Sequence, residues 1–564
     1  MELRQPTLCI ALGLWAALWA RPAAACGGLF CSQANPVNQT AERIVFADHG
    51  DGRVTAIIEI LYQGPSENFS WVLPVAGEPE IGVSSTLALD RLQSATAPQY
   101  QLQTVDSCQD IVVARAKNGV DGAVDAGAAL DIAVLASGVV GPYDYKLIAP
   151  APGLDDPAAS AIAWLEDNGY DVGALASERL GPYLAEGLNL LAFRLSKDRD
   201  SGSIRPLRLT YAAEHPAIPI RPTAVAAAAD MGILVWVLGD SRAVPSNYKH
   251  LVLNEALIDW FNPGSTYDAV VSAAADEAGG HGFVTEMADA TRMLEGRVVT
   301  DFERGEWADL VGDAGADGLE FARRSANLFS EWDGFREALA AAVTLPSGQS
   351  LEDFLNDLQF GAADPGVTVD SERLRQLLES EVVAPVFETQ DLLDQSSYFT
   401  RLYTTLSPEE MSLDPIFDTN PDLPAVSNVH VAERRIDCDG GVSLTLPQGT
   451  VVEIVEPGVW PLDIGDGDQA AARRIEQLGS SGLPEVLVDN GDVPDVIATG
   501  ATDGGSSGPA VVRGAGGIDG GAGDGGPVLD GCGCNVPGGR GPAGGGRGPW
   551  LGLLLAGLVL RRRR

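Results

Sequence analysis

Ile233-Leu234-Val235-Trp236-Val237-Leu238 is an unbroken apolar run with a tryptophan inside it. A strand with one wet face alternates apolar and polar residues, and a strand covered on both faces does not. The run therefore predicts a central strand, buried on its two sides, in a sheet that other layers must cover.

Working outward, the neighbouring segments supply the rest of such a sheet. Glu42 to Ala47 and Val54 to Tyr62 flank Asp48-His49-Gly50-Asp51-Gly52-Arg53. Alternation on both sides of a Gly/Asp turn predicts a β-hairpin. Phe69 to Pro74, Gln99 to Val105, Ala133 to Val140, Leu188 to Leu195 and Leu207 to Tyr211 read as further strands. Ser84-Ser85 caps a short helix, Thr86 to Gln93. Asp156-Pro157 opens a helix that Asn168-Gly169 closes, with a capping Asp, a first-turn Pro and a terminal Gly. Asp268 to Glu277 is a helix ended by Gly279-Gly280.

From about Thr300 to Leu406 the periodicity turns helical, as in Glu320 to Val343, Leu351 to Leu358 and Ser371 to Leu393. Strands return at Val429 to Arg435, Val442 to Leu446 and Val451 to Val455. A last helix, Ala470 to Leu478, precedes a strand at Glu485 to Asp489. After Asp492 the composition collapses into Gly, Asp, Ser and Pro, which cannot bury enough apolar surface to order itself. The expected fold class is α+β: a mixed or antiparallel β-sheet body with a helical insertion, a disordered Gly-rich stalk and a short C-terminal hydrophobic segment. The expected divisions are a signal peptide at 1–25, an α+β domain at 26–298 and a helical region at 299–412. A β-rich return segment at 413–490 packs on the first domain, followed by a linker at 491–531 and an end segment at 532–564.

The chain has 564 residues, 78 acidic and 37 basic side chains, and a net charge of -41. Its four lysines are Lys117, Lys146, Lys197 and Lys249. Nucleic-acid binding needs Lys/Arg patches to meet phosphate, so this balance argues against it. Residues 1–25 read as a secretory signal: Arg4, an apolar segment from Leu8 to Trp19, and Ala23-Ala24-Ala25 before a cut at Cys26. A lipoprotein cut at Cys26 is the competing reading. Of seven cysteines, Cys9 leaves with the signal and Cys532 and Cys534 belong to the tail. Cys26, Cys31, Cys108 and Cys438 remain for two disulfides with three possible pairings, of which Cys26–Cys31 and Cys108–Cys438 are favoured.

The end of the chain reads Cys532-Gly533-Cys534, a Gly/Pro-rich spacer, Trp550 to Leu560, then Arg561 to Arg564. A spanning helix needs roughly 20 apolar residues, and this run supplies 11. Terminal arginines favour the cytoplasmic side during export. The pattern resembles the C-terminal sorting signal of myxobacterial surface proteins, the MYXO-CTERM type. That resemblance implies cleavage by a membrane-embedded sorting protease, with Cys532 or Cys534 as the modified residue.

The search for chemistry returns no coherent set. Leu238-Gly239-Asp240-Ser241 mimics the first block of SGNH hydrolases, but the late Asp-x-x-His that would supply the base is missing: Ser427 stands three before His430. A strand-end turn is the better reading. Gly504 to Gly508 matches Gly-x-Ser-x-Gly inside the stalk, without the strand and helix a nucleophile elbow needs. His430 with Glu433 is expected to be a surface pair, and His281 lies close to Glu286 in sequence as a weak metal candidate. His49 and His215 look solvated. Gly465-x-Gly467-x-x-Ala470 and the Asp463, Asp466, Asp468 group read as turns. Phe69/Trp71, Trp164 and Trp236 read as core. No catalytic, cofactor or metal residue is therefore assigned.

The body resembles DUF2330, a bacterial exported family of unknown function. The carrying residues are Cys26-Gly27-Gly28-Leu29-Phe30-Cys31, Phe69 to Val75, Trp164-Leu165 with Asn168-Gly169-Tyr170, and Pro206 to Thr210. Val235 to Asp240, Arg401-Leu402-Tyr403-Thr404 and Asp414-Pro415 complete them, and the likeness runs from Cys26 to about Asp489. It implies an exported protein and brings no activity with it. The expected function is that of an exported protein at the outer membrane or cell surface, anchored by its C-terminal tail, with a binding or structural role. Signal peptidase and the sorting protease are its expected partners during export, and no cofactor is implied. The alternative is a tethered secreted hydrolase of glycosidase type, built on two carboxylates.

Overall fold

The structure is a computed structural model that describes residues 38–63, 70–106, 133–141, 143–149, 156–168, 170, 176–195, 205–225, 227–312, 317–360, 366–438, 440–464 and 469–491. The apolar run lies in strand β10 (Ala227–Gly239). It sits inside a ten-stranded sheet, between β1 (Asn38–Asp48), which it meets in parallel, and β16 (Tyr398–Leu406), which it meets antiparallel. Beyond β1 come β2 (Arg53–Gln63), β9 (Leu207–Ala212) and β4 (Glu80–Val83). Beyond β16 come β13 (Gly282–Ala290), β12 (Lys249–Leu253), β21 (Ala472–Gln477) and β22 (Glu485–Asp489). The β1–β2 hairpin closes where expected: Asp48 Oδ1 accepts from Gly50 N at 2.9 Å, and Gly50 (φ 67) and Gly52 (φ 81) take up the turn.

Both faces of β10 are covered along Ile233 to Leu238, which is why no polar residue interrupts that run. Ile233, Val235 and Val237 point into one core with Ile44, Phe46, Leu73, Leu191 and Phe193. Leu234, Trp236 and Leu238 point into the other with Leu89, Leu92, Phe335 and Val386. The first core lies under a four-stranded sheet: β3 (Ser70–Val75), β8 (Asn189–Leu195), β7 (Tyr143–Ala149) and β6 (Ala133–Val140). Its outer face is covered by α2 (Pro157–Asp167) and α3 (Ala176–Ala185) through Trp164, Leu165 and Leu180. Asp156 caps α2 as the sequence predicts, accepting from Ala159 N at 2.9 Å.

The second core lies under helices: α1 (Thr86–Thr96), α4 (Tyr267–Glu277), α5 (Asp301–Gly312), α6 (Gly318–Phe329), α7 (Phe335–Ala340), α8 (Leu351–Phe360), α9 (Ser371–Leu377) and α10 (Ala384–Gln395). A π-helical segment, Leu378–Val383, joins α9 to α10. It sits just ahead of Pro385, whose ring cannot enter the regular ladder. A short pair, β14 (Val343–Thr344) with β15 (Thr368–Val369), ties this layer together. Gly334 (φ 79) is where it docks: an added Cβ would lie 1.6 Å from Arg205 Nη2, which donates to Asp333 O at 2.6 Å. Another four-stranded sheet, β5 (Gln99–Asp106), β18 (Val429–Ile436), β19 (Val442–Thr445) and β20 (Val451–Ile454), closes one end. β11 (Arg242–Pro245) pairs with β17 (Phe417–Asn420).

Three expectations need correction. Tyr398 to Leu406 is a strand inside the stretch read as helical, and its aromatic and β-branched residues suit the sheet position it fills. Glu320 to Val343 is two helices broken before Gly334. Ala470 to Leu478 is strand β21. Its pairing with β12 steps from Leu253↔Ala472 to Val252↔Arg474, so Arg473 is an extra, bulged residue. The bulge puts Ala472 and Ile475 on one face with Leu251 and Leu253, and that three-residue interval imitates a helical period.

The helical face of the large sheet also carries a buried charge layer. Arg43 on β1 faces Glu59 on β2 across one register position and bonds it. The same guanidinium bonds Asp90 and, at 2.8 Å, Gln93 Oε1, both on α1. Thr86 donates to the other Glu59 oxygen at 2.8 Å. Arg401 on β16 bonds Glu286 on β13, and donates to Gln93 O and Thr96 Oγ1 at 3.1 Å each. Removing one member of a buried pair strands the other charge, at a cost of about 3–5 kcal/mol. Arg43→Met is therefore expected to lower urea stability by about that amount, while Arg43→Met/Glu59→Leu/Asp90→Leu recovers most of it. An Arg43→Met variant as stable as wild type would contradict the assignment.

Candidate functional site

On the opposite face, between the large sheet and the β3–β8–β7–β6 sheet, lies a cavity of about 440 Å³. Its walls are apolar: Ile44, Phe46, Ile58, Trp71, Leu73, Val75 and Ile218 are among them. Trp71 is supported by Phe193, stacked at 5.6 Å between ring centroids. Tyr211 and Tyr183 add two more aromatic faces.

Glu42 and Gln39 are the polar groups set into this wall by β1. Glu42 shares its face with Ile44 and Phe46 by simple alternation. Gln39 would point the other way, but the β1–β2 register slips between Gln39↔Tyr62 and Ala41↔Leu61. One extra residue, Thr40, turns Gln39 onto the face of Glu42, the usual effect of a β-bulge. Glu42 is 5% exposed and Gln39 is 6% exposed. Glu42 Oε2 and Gln39 Nε2 have no hydrogen-bond partner. A buried polar group without a partner costs on the order of 1–3 kcal/mol, more when charged, so two on one cavity wall call for an explanation. Burial alone pushes Glu42 up from 4.5 to about 7, and no cation offsets it.

The other acidic groups at the cavity are Glu186, exposed at the rim, and Asp414. Asp414 is tied down: it accepts from Tyr183 OH at 2.8 Å and Ile220 N at 3.0 Å, and pairs with Arg221 at 3.4 Å. Its own rise comes first from burial, and the Tyr183 hydroxyl and Arg221 oppose it. Asn247 Nδ2 donates to Asp414 O at 2.7 Å and fixes the loop behind it.

A family profile described as "Uncharacterized protein conserved in bacteria (DUF2330)" matches residues 20–369. The chain belongs to the DUF2330 family. No curated protein matches it, and no solved structure matches it. The match ends at residue 369, short of the expected Asp489; within it the Trp71 to Val75 strand lines the cavity, and Asp414, which also lines it, lies beyond the matched span, as does Arg401. Trp236 and Arg401 belong instead to the charge layer on the other face, where Trp236 Nε1 donates to Thr96 Oγ1 at 3.0 Å.

The cysteines assigned from sequence fall mostly elsewhere. Cys26, Cys31, Cys108, Cys532 and Cys534 lie outside the described residues of this DUF2330 chain, as do Phe69, the Gly465/Gly467 turn and the Gly504 to Gly508 motif. Cys438 is described, two residues beyond the end of β18, and is not a free thiol. His430 is not paired with Glu433. It stacks on Tyr100 at 4.8 Å, its register partner across β5 and β18, and shares a 2.8 Å hydrogen bond with Glu255. His281 is not with Glu286 either: it meets Ser412 at 3.2 Å, while Glu286 takes Tyr267 OH at 2.6 Å and Arg401. His49 meets Thr55 at 2.8 Å, and His215 stands at the cavity. Trp164 and Trp236 are core, as read; Trp71 is half-buried and lines the cavity.

Sequence reasoning missed Glu42 and Gln39. The one available signal was a charged residue at the apolar-face position of an otherwise apolar strand, Glu42-x-Ile44-x-Phe46. A pH-dependent stability follows from Glu42. It holds its proton more tightly folded than unfolded, so its contribution is whole below pH 4.5 and is lost as pH rises through about 7. A shift of that size corresponds to at most about 3 kcal/mol. Glu42→Gln is expected to match wild type in urea unfolding at pH 4 and to exceed it at pH 8. A stability difference that does not change between the two pH values would contradict this.

Proposed function

We propose that this chain is an exported, surface-anchored cell-envelope protein whose work is binding, done at the Glu42 cavity. One observation carries the binding part: an apolar cavity of about 440 Å³ whose buried acid and amide have atoms left without partners. Ligand sites commonly join an apolar wall to a few placed polar groups. The two-carboxylate hydrolase is the weaker reading: of the other carboxylates at the described cavity, Asp414 is held by Tyr183, Ile220 and Arg221, and Glu186 stands exposed to solvent at the rim.

The export part is supported by sequence: the signal-like residues 1–25, the Gly-rich linker 491–531 and the MYXO-CTERM-type end 532–564. In this reading a membrane-embedded protease processes the tail, and Cys532 or Cys534 carries the anchor. A Cys108–Cys438 disulfide belongs to it too. Its support is the parallel pairing of β5 with β18, whose last register pair is Asp106 with Ile436, two residues before each cysteine. Such a bond would close a loop of some 330 residues, which chain-entropy reasoning makes strongly stabilising.

Three measurements bear on this. In fractionated cells, wild type is expected at the outer surface and the Cys532→Ala/Cys534→Ala variant is expected to lose that display; unchanged display would remove the sorting reading. Non-reducing peptide mapping is expected to yield a linked Cys108–Cys438 peptide, and free thiols at both positions would reject the bond. The neutral reporter N-phenyl-1-naphthylamine is expected to bind with saturable, single-site fluorescence that the cavity-filling Ile58→Trp abolishes. Reporter binding that does not saturate would reject the cavity as a ligand site.

A further inference from the structure

The cavity also specifies the chemistry of what enters it. This step rests on the reading that the cavity is a ligand site. We infer that it takes an apolar molecule carrying a single ammonium group, an amphiphilic amine, whose head meets Glu42 and whose body lies against Trp71, Ile58 and Val75. Four observations point there. Glu42 is 5% exposed and its Oε2 is unpartnered, so the wall lacks a cation that the fold itself does not provide. Neither basic side chain lining the cavity serves Glu42: Arg221 pairs with Asp414 at 3.4 Å and lies over the Tyr183 ring at 5.3 Å, its Nε being left without a partner, and the exposed His215 faces Asp418 at 4.0 Å. Trp71, Tyr211 and Tyr183 line the space with aromatic surface, which favours cations. The whole chain carries a net charge of -41, which gathers cations and repels anions.

The alternatives fit less well. A fatty carboxylate would bring a second negative charge to an acid that already has none to balance it. A neutral alcohol would bond Glu42 but leave its charge uncompensated above neutral pH. An ammonium supplies both a donor and a charge, and charge-assisted hydrogen bonds are about twice as strong as neutral ones. Gln39 Nε2 remains as a donor for a hydroxyl or carbonyl oxygen on the same ligand. The volume sets the scale: about 440 Å³ holds one small amphiphile and excludes a diacyl lipid.

A matched series decides it. Octylamine, octanol and octanoate differ only in the head, and each is titrated against the reporter-loaded mature protein at pH 8. Octylamine is expected to displace the reporter about tenfold or more tighter than octanol, with octanoate weakest. In Glu42→Gln the ratio of octylamine to octanol affinity is expected to fall to about one. Octanol binding as tightly as octylamine to wild type would overturn the ammonium assignment and leave the cavity reading standing. If none of the three displaces the reporter, the cavity reading itself falls. The wild-type ratio decides the question even if the Gln variant folds poorly.

Discussion

Two buried guanidinium groups are held from one point on one helix. Gln93 of α1 gives its side-chain oxygen to Arg43 and its backbone oxygen to Arg401. Arg43 and Arg401 stand on β1 and β16, the two neighbours of β10. Their carboxylates, Glu59 and Glu286, stand on the next strands out. A charge in a dry core is tolerated only when it is paired and hydrogen-bonded. The order of five adjacent strands and the position of α1 above them are thus tied to one requirement. Trp236 and Thr96 complete the layer, with the Arg401 guanidinium 5.5 Å from the Trp236 ring.

The other face of the same sheet makes the opposite choice. There the core is apolar, and the second sheet lies over it like the half of a sandwich. Glu42 sits one residue before Arg43, so the two residues point to opposite faces. Arg43 is met by two carboxylates and an amide. Glu42 is met by a space. Neighbouring positions on one strand therefore hold the best-satisfied and the least-satisfied charges of this region, and the difference lies wholly in what packs above each. A sheet held rigid from its helical face can carry an unpartnered group on the other, because the cost is borne by the surrounding structure.

Much of the framework was legible in the chain. The β1–β2 hairpin, β6, α2 with its Asp156 cap, and α4 stand close to their predicted ranges, because each is governed by local alternation, turn glycines or capping. Ser85 shows the limit: it sits at the head of α1, yet its hydroxyl goes to Asp333, 248 residues away, and not to the helix. β16 and β21 were hidden for related reasons. A strand placed between two others by distant pairing need not announce itself among helices, and the Arg473 bulge gave β21 a false period.

The sequence by itself determined that this is an α+β chain with a sheet buried on both faces, since six apolar residues in a row leave no wet side. It also determined a strongly acidic surface, through composition alone. Only the tertiary structure decided that Glu42 faces a cavity with an oxygen left without a partner. That outcome depends on strands far away in sequence that close a cavity over Glu42 without bringing it a partner, and the bulge at Thr40 adds Gln39 to the same wall. Desolvation is a property of surroundings, and no residue carries it in its own letter.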